Sequence, residues 1–217
     1  MKLDRGFYLR PGLEVARDLI GKRLVRRSPE GVCAGIIVEA EAYLGPEDAG
    51  AHSYGGRPTP RTAIQYGPGG FAYVFMIYGM YNCLNVVANT EGKPEVVLLR
   101  ALEPAEGVEL MTERRGRGRK RPPKLRELCG GPGKLCVALD IRREHNGADL
   151  CGEELFLEEG PDPAPELVTD RRVNIDYAGA AADYPWRFLL KDSPFVSVPP
   201  RTGEKKALDK SSLRVIE

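Results

Sequence analysis

The chain has 217 residues, which is enough for one large domain or two small ones with a sizeable core. Its hydrophobic content of 42% and charged content of 29% are typical of a globular protein, and the net charge of +1 excludes a polycation, so an anionic partner would need a local basic patch. The N-terminal residues lack a signal-peptide apolar region and no apolar run reaches membrane-spanning length, so we expect a cytoplasmic protein without a membrane partner.

The cysteine pattern argues against a disulfide framework and against a zinc site. The cysteines are odd in number and form no CxxC pair: Cys33, Cys83, Cys129, Cys136 and Cys151. Only two histidines, His52 and His145, could join them as ligands. We therefore expect reduced thiols in the core, no metal and no other cofactor.

The first predicted elements are a helix and two strands. The segment RPGLEVARDLIGK has the apolar spacing of a helix, with Pro11 in its first turn and Gly21 at its C-terminal end. The segments KRLVRR and GIIVEAEAYL then read as strands joined by the turn SPEGVC.

The second of these strands carries two carboxylates. Glu39 and Glu41 are two residues apart, so on a strand they face one side together with Tyr43. A glutamate among aromatic residues can act as a general base toward water, and partial burial would raise its pKa toward neutrality. The alternative is that both carboxylates face solvent on an edge strand, since charged residues are mostly exposed.

A β-hairpin is predicted over residues 69–88, GGFAYVFMIYGMYNCLNVVA, with YGMYN at or near its tip. Strand alternation places the residues of the first strand on two faces: Tyr73, Phe75 and Ile77 on one, Val74, Met76 and Tyr78 on the other. The flat side chains Tyr43, His52, Phe75 and Tyr78 suit a planar ligand such as a nucleobase. The alternative for any one of these aromatic residues, taken alone, is ordinary core packing, which is the more frequent role of such residues.

The middle of the chain combines a strand, a helix and a basic run. PEVVLLRALEP predicts a strand with Arg100 at its end, and EPAEGVELMTERR predicts a helix begun by Pro104. Residues 114–126 then hold eight Arg or Lys and no acid, which is typical of a solvated, mobile loop but also suits a phosphate-binding arm.

The last third predicts one more helix and two strands. CGGPGKLCVALDI predicts a helix opened by Pro132, with Lys134 in its first turn. RVNID and WRFLLKD predict strands, and residues 199–217 predict a flexible tail. No linker divides the chain, so we expect a single domain over residues 1–217.

Five segments, taken together and in order, resemble the alkyladenine DNA glycosylase (3-methyladenine DNA glycosylase) family. They are VEAEAYLGPEDAGAHS, RPTPRT, YVFMIYGMYNCLN, VLLRALEP and GPGKLCVALDI. The resemblance extends from about Phe7 to Val198. It implies a DNA glycosylase of base excision repair that flips alkylated or deaminated purines out of duplex DNA and hydrolyses the N-glycosidic bond. We therefore expect an α+β fold with a curved, mostly antiparallel sheet that forms an open, barrel-like layer. Helices should flank the sheet and a β-hairpin should protrude from it. We also expect a monomer.

The resemblance also implies roles for residues around the expected site. Glu41 matches the general base that activates water, and Arg100 matches the arginine that helps to hold that water. Tyr43 and His52 match residues that pack on the flipped base. Tyr78 matches the hairpin tyrosine that enters the minor groove and fills the gap.

Further positions are carried over in the same way. Asn85 matches the asparagine on the pocket floor, where it would clash with a guanine amino group. Arg57, Thr59 and Lys134 lie in motifs that resemble DNA-backbone contacts. Phe75 stands where a tyrosine is expected, so stacking is kept but a hydroxyl group is lost.

Several alternatives bear on function. A non-catalytic damaged-DNA-binding protein would keep the hairpin and basic groups but would not need Glu41 or Arg100. A zinc-dependent nucleobase deaminase requires His-x-Glu and PCxxC motifs, and neither occurs in the sequence. No lysine stands at the Glu41 position, so the expected enzyme is monofunctional, without lyase activity, and leaves an abasic site.

Overall fold

The computed structural model describes residues 1–201, which form one α+β domain around an antiparallel sheet. The α-helices in this range are α1 (Arg5–Tyr8), α2 (Gly12–Leu19), α3 (Val108–Gly116), α4 (Leu125–Leu128) and α5 (Pro132–Ala138). The strands in this range are β1 (Arg23–Ser28), β2 (Gly31–Tyr43), β3 (Ala72–Ile77), β4 (Tyr81–Ala88), β5 (Glu95–Glu106), β6 (Leu155–Glu158), β7 (Leu167–Asp170) and β8 (Arg187–Leu190). Short 3-10 helices cover Gly45–Glu47, Ala63–Tyr66, Arg143–His145 and Asp176–Asp183.

The sheet is curved and does not close into a barrel. Its strands follow the order β3-β4-β5-β2-β1-β6, and β8 joins β2 while pairing with β7. Every pairing between these strands is antiparallel. The expected α+β fold with an open, antiparallel sheet is therefore confirmed, and the β3–β4 hairpin lies at one end of the sheet.

Helix α2 covers the middle of the sheet. Its side chains Val15, Ala16 and Leu19 are fully buried in the main core. Gly21, with φ of +85°, follows the helix and turns the chain into β1, as a C-terminal glycine does. Burial of each large aliphatic side chain of this kind contributes about 1.5–3 kcal/mol, so the amphipathic pattern of this segment is enough to fix the helix against the sheet.

Strand β2 is a central strand at the position of its two glutamates. Glu39, Ala40 and Glu41 pair with β8 on one side and with β5 on the other. The exposed fractions of Glu39 and Glu41 are both 0%. The alternative that these carboxylates face solvent on an edge strand is therefore wrong, because β8, distant in sequence, covers the edge.

Strand β5 departs from the sequence prediction at both of its landmarks. Arg100 lies in the middle of the strand and not at its end. Pro104 pairs with Gly35 near the strand's C-terminal end, and α3 begins only at Val108. Gly107, with φ of +72°, makes the turn between them, so the glycine and not the proline ends the strand.

The basic run and the C-terminal third also differ in part from expectation. Arg114 and Arg115 belong to the last turn of α3, so the run is not a loop throughout. The strand predicted for RVNID is absent from the described residues, since Asn174 there has φ of +59° and the neighbouring strand β7 ends at Asp170. The strand in WRFLLKD is confirmed as β8. Of the expected tail, residues 202–217 lie outside the described residues.

The cysteines are free thiols, four of them buried, as predicted. Within residues 1–201, no helix is both long enough and apolar enough to cross a membrane.

Candidate active site

A cavity of about 510 Å³ opens between the β3–β4 hairpin and the loops that precede α5 and follow β7. Predicted site residues from separate parts of the chain line it: Tyr43, His52, Phe75, Tyr78, Asn85, Arg100 and Lys134. The fold therefore gathers most of the predicted residues around one space, large enough for a small planar ligand.

One wall of the cavity is aromatic. The ring centroids of His52 and Phe75 lie 4.6 Å apart in an edge-on arrangement, and those of Tyr73 and Phe75 lie 5.3 Å apart. Tyr73, Phe75 and Ile77 all line the cavity, so the predicted alternation of β3 is confirmed for this face.

Tyr78 occupies the hairpin tip with 81% of its surface exposed. The prediction that it shares a face with Val74 and Met76 is wrong. Strand β3 ends at Ile77, and Tyr78 itself has φ of +51°, so the strand alternation stops one residue before it. The left-handed turn leaves the ring at the cavity mouth.

The Glu41 carboxylate lies directly behind the cavity wall and is held by three residues that line the cavity. Its Oε2 accepts a hydrogen bond of 2.8 Å from the Tyr43 hydroxyl and a longer one of 3.4 Å from Arg100 Nη1. Its Oε1 accepts a hydrogen bond of 2.7 Å from the backbone N–H of Val173. Burial raises the pKa of Glu41 above its ordinary value of 4.5, and the Arg100 charge and these hydrogen bonds oppose that shift.

Arg100 connects Glu41 to the second carboxylate. Its Nε donates to Glu39 Oε1 at 3.0 Å, and its Nη2 donates to Ser197 Oγ at 3.2 Å. In the register between β2 and β5, Glu39 pairs with Ala101, and the next residue of β2 pairs with Leu99. Arg100 therefore has no pairing residue on β2 and lies at a β-bulge. Bulges of this kind re-aim a side chain, which explains how one guanidinium contacts both glutamates.

Glu39 has further partners that complete its environment. Arg187 Nη1 donates to Glu39 Oε1 at 2.9 Å, and the backbone N–H of Ser197 donates to Oε2 at 2.5 Å. Arg187 also donates to Asp170 Oδ2 at 2.6 Å. Each of these buried charged side chains has a partner of opposite charge. The cluster therefore avoids the large desolvation penalty of an unpaired buried ion.

A second buried ion pair supports Tyr43 and Val173. Arg172, the residue before Val173, forms a bidentate contact with Asp48 and donates to the Ala42 carbonyl at 3.0 Å. Its guanidinium carbon lies 4.7 Å from the Tyr43 ring centroid and 4.9 Å from that of Trp186. Arg172 thus fixes the positions of two of the groups that hold Glu41.

The contacts of His52 fit an uncharged imidazole. Its Nδ1 lies 2.9 Å from the Tyr73 hydroxyl, and its Nε2 lies 3.3 Å from Arg61 Nη2. The residue is exposed as a whole, but partial desolvation of its ring and the positive charge of Arg61 lower the pKa of His52 to about 4. Since a guanidinium can only donate, Nε2 is the acceptor and Nδ1 carries the proton.

The remaining predicted residues fall into two groups. Asn85 is buried, lines the cavity and donates from Nδ2 to the Tyr73 carbonyl at 3.1 Å. Lys134 is exposed in the first turn of α5, as predicted, and reaches the cavity. Arg57 and Thr59 are exposed in the loop before residue 61 and do not line the cavity.

Comparison with known proteins decides the family. A model described as methylpurine-DNA glycosylase (MPG) matches residues 6–194. The chain belongs to this family. Proteins named "Putative 3-methyladenine DNA glycosylase" are similar along almost their whole length. The protein from Clostridium acetobutylicum is 53% identical over 201 residues, which are 91% of this chain and 98% of that protein. The protein from Alkaliphilus oremlandii is 49% identical over 203 residues, 91% of this chain and 99% of that protein.

Membership in the methylpurine-DNA glycosylase family confirms the resemblance of the five sequence segments and the expected enzyme class, a DNA-3-methyladenine glycosylase. Sequence reasoning did not find the groups that support the site: Glu39 as an ion-pair partner, Asp48, Arg172, Arg187, Val173 and Ser197. Val173 acts through its backbone N–H group, and so does Ser197 in its contact with Glu39, and a backbone group leaves no signal in side-chain identity. The Arg172–Asp48 pair joins positions 124 apart in the chain, so only the fold brings them together.

Proposed function

We propose that this protein excises alkylated or deaminated purines from duplex DNA by hydrolysing the N-glycosidic bond with a water molecule activated by Glu41. The damaged nucleotide is flipped out of the stack into the cavity, which is cheapest for a poorly paired base. The products are the free base and an abasic site, and no cofactor takes part.

The observation that carries the proposal is the position of Glu41. Its carboxylate is fully buried, and each of its hydrogen-bond donors lines the cavity. Arg100 lines the cavity and its Nη1 lies 3.4 Å from Glu41, so a water molecule in the cavity that binds Arg100 would lie next to the Glu41 carboxylate. A carboxylate next to C1′ stabilises the oxocarbenium-like transition state and accepts the proton of the attacking water.

The aromatic wall suits an alkylated purine. A purine alkylated at N3 or N7 is cationic, so it leaves without a strong general acid and is attracted to the faces of Tyr43 and Phe75. His52, with its pKa lowered to about 4, is uncharged at neutral pH and does not repel such a base. The buried Arg172–Asp48 pair lies against the Tyr43 ring and holds it in place before the nucleotide arrives.

Selection and extrusion of the base fall to two further residues. Asn85 on the cavity floor would clash with the 2-amino group of an undamaged guanine. Tyr78, exposed at the hairpin tip, would fill the gap left in the duplex by the flipped nucleotide. Arg57, Thr59 and Lys134 would contact the DNA backbone around it.

The test is single-turnover excision on matched duplexes carrying 7-methylguanine, hypoxanthine or 1,N6-ethenoadenine. Wild type should release at least one of these bases and leave a site that alkali cleaves. Glu41→Gln should lose at least two orders of magnitude in rate, the effect typical of a general base. Glu91→Gln, at an exposed loop position, is the matched control and should retain the wild-type rate.

The outcome also decides the alternative. Tight, lesion-selective binding by wild type without release of any base would favour a damaged-DNA-binding protein on the same scaffold. Equal rates for wild type and Glu41→Gln would remove Glu41 from the chemistry.

A further inference from the structure

The basic run 114–126 resolves into paired and unpaired arginines. Arg114 is buried and donates to Glu30 at 2.6 Å. Arg121 forms a bidentate contact with Glu127, at 2.9 and 3.0 Å. These arginines have counter-charges within the protein, so their presence is explained by the fold.

Arg115 is different, although it is the next residue to Arg114 in α3. It is only 9% exposed, and its guanidinium donates to the backbone carbonyls of Leu128 at 3.2 Å and Glu127 at 3.5 Å. No carboxylate among residues 1–201 forms an ion pair with it. A largely buried cation without a counter-charge is unfavourable, because carbonyl dipoles replace only part of its hydration.

Two more cations reach the same part of the cavity. Arg119 and Lys134 are exposed, and together with Arg115 they line the cavity. Burial lowers the pKa of Arg115, and the charge of Arg119 is close enough to lower it further. Three converging positive charges in a protein of net charge +1 create a local field that attracts an anion.

The hairpin register shows where this basic group lies relative to the aromatic wall. Phe75 pairs with Cys83, and Ile77 pairs with Tyr81 nearer the tip. Gly133, which lines the cavity beside Lys134, packs so closely on Tyr81 that a Cβ at Gly133 would lie 3.0 Å from the Tyr81 Cβ. Two strand residues span about 7 Å, so the basic group lies near the hairpin tip, one such step from the level of the aromatic wall.

We infer that Arg115 and Arg119, with Lys134, form a subsite for a backbone phosphate of the strand that carries the flipped nucleotide. This inference rests on the proposed function and deepens it. A purine held against the aromatic wall leaves its sugar and phosphate at the cavity mouth, on the side of the hairpin tip where these cations lie. Guanidinium groups suit this role because they can bind phosphate oxygens in a bidentate manner.

The first test measures how binding depends on salt. The probe is a fluorescent duplex with a stable tetrahydrofuran abasic analogue, which binds without reaction. The slope of log Kobs against log[salt] is negative, and loss of one phosphate contact should reduce its magnitude by about 0.9. Arg119→Gln should therefore show a shallower slope than wild type, by that amount. Arg117→Gln is the matched control, because Arg117 is exposed in the same run, pairs with Glu113 and does not line the cavity. It should keep the wild-type slope.

Arg115 requires a variant that keeps the fold. Arg115→Lys retains the charge but loses the planar fork, so it should weaken binding while leaving the salt slope nearly unchanged. Urea unfolding of the same sample identifies any loss of stability. Wild-type affinity in a stably folded Arg115→Lys would contradict a bidentate contact.

A second arm identifies the source of the phosphate. Duplexes with a single neutral methylphosphonate beside the abasic analogue remove one backbone charge at a time. At the phosphate that Arg119 contacts, the methylphosphonate should weaken wild type but have little further effect on Arg119→Gln. Additive effects at every position tested would overturn the subsite, as would a wild-type slope for Arg119→Gln.

These outcomes are separable from the proposed function. If wild type excises a damaged base and Arg119→Gln keeps the wild-type slope, only the subsite is wrong. If wild type neither excises nor binds the duplex, the proposed function itself is wrong.

Discussion

Arg172 and Asp48 form a buried bidentate ion pair, with Nη1–Oδ2 at 2.5 Å and Nη2–Oδ1 at 2.7 Å. Both side chains are almost completely excluded from solvent, at 0% and 1% exposure. Arg172 immediately precedes Val173, whose N–H holds Glu41, and its guanidinium lies over the Tyr43 ring. One ion pair therefore sets two of the three contacts of the proposed base.

Arg172→Lys tests this support. Lysine keeps the charge but cannot reproduce the bidentate contact together with the contact to the Ala42 carbonyl, so we expect a loss of roughly 1–3 kcal/mol in the free energy of unfolding. The excision rate should also fall in protein that remains folded. Urea denaturation and single-turnover kinetics measure the two effects. Arg171→Lys, whose partner Asp183 is mostly exposed, is the control and should change stability by less than about 0.5 kcal/mol.

The raised pKa of Glu41 predicts a pH dependence of excision. The proposed base must be ionised, so the rate should rise with pH through a pKa above the ordinary value of 4.5. The charge of Glu39 contributes to that rise in pKa. Glu39→Gln should therefore move the acid limb of the pH–rate profile to lower pH, a shift that a purely structural defect would not produce.

Glu106→Gln is the control for that shift. Glu106 lies on the same strand as Arg100 but at its far end, half exposed and paired with Arg23. Its replacement should leave the acid limb in place. An acid limb that is unmoved in Glu39→Gln would contradict electrostatic coupling between the two glutamates.

His52 should remain neutral through the physiological range. Its pKa of about 4 lies below the ordinary value of 6.5, so protonation favours the unfolded chain, and its contribution to stability is lost as pH falls from 6.5 toward 4. NMR titration measures this directly, because the chain has only two histidines and His52→Gln assigns the signal. A His52 signal that titrates near pH 6.5 would refute the predicted neutral state.

Tyr78 offers a clean separation of function from stability. Since the residue is 81% exposed, Tyr78→Ala should change the free energy of unfolding by less than about 0.5 kcal/mol. The same change should slow excision from duplex DNA, where a gap must be filled. Excision from a single-stranded substrate should be affected much less, and Tyr78→Phe should restore most of the duplex rate. Equal losses on both substrates would argue against gap filling.

The sequence predicted the local elements well and the long-range contacts poorly. The β3–β4 hairpin and helix α2 follow from alternation and from amphipathic spacing, which are local properties. The burial of Glu39 and Glu41 depends on β8, which pairs with β2 from about 150 positions away. No local pattern reports such a neighbour, so the exposed reading of these glutamates was reasonable and wrong.

The β-bulge at Arg100 and the mixed nature of the basic run have the same cause. A bulge is a property of the register between two strands, so Arg100 gave no sign of its contact with both glutamates. Arg114 and Arg115 are identical neighbours in sequence, yet one meets Glu30 and the other faces the cavity. Composition can identify a basic run, but only the surrounding fold shows which of its arginines are paired with carboxylates and which line the cavity.

Trp186 is the single tryptophan of the chain, and its ring lies 4.9 Å from the Arg172 guanidinium carbon and 4.6 Å from the Tyr184 ring. The fluorescence of Trp186 therefore reports on the surroundings of Arg172, the residue that positions Tyr43 and Val173 around Glu41. Loosening of the Arg172–Asp48 pair should change the emission even where the rest of the sheet stays folded. The protein thus contains an unlabelled optical probe at the place where stopped-flow mixing with a lesion duplex would be most informative.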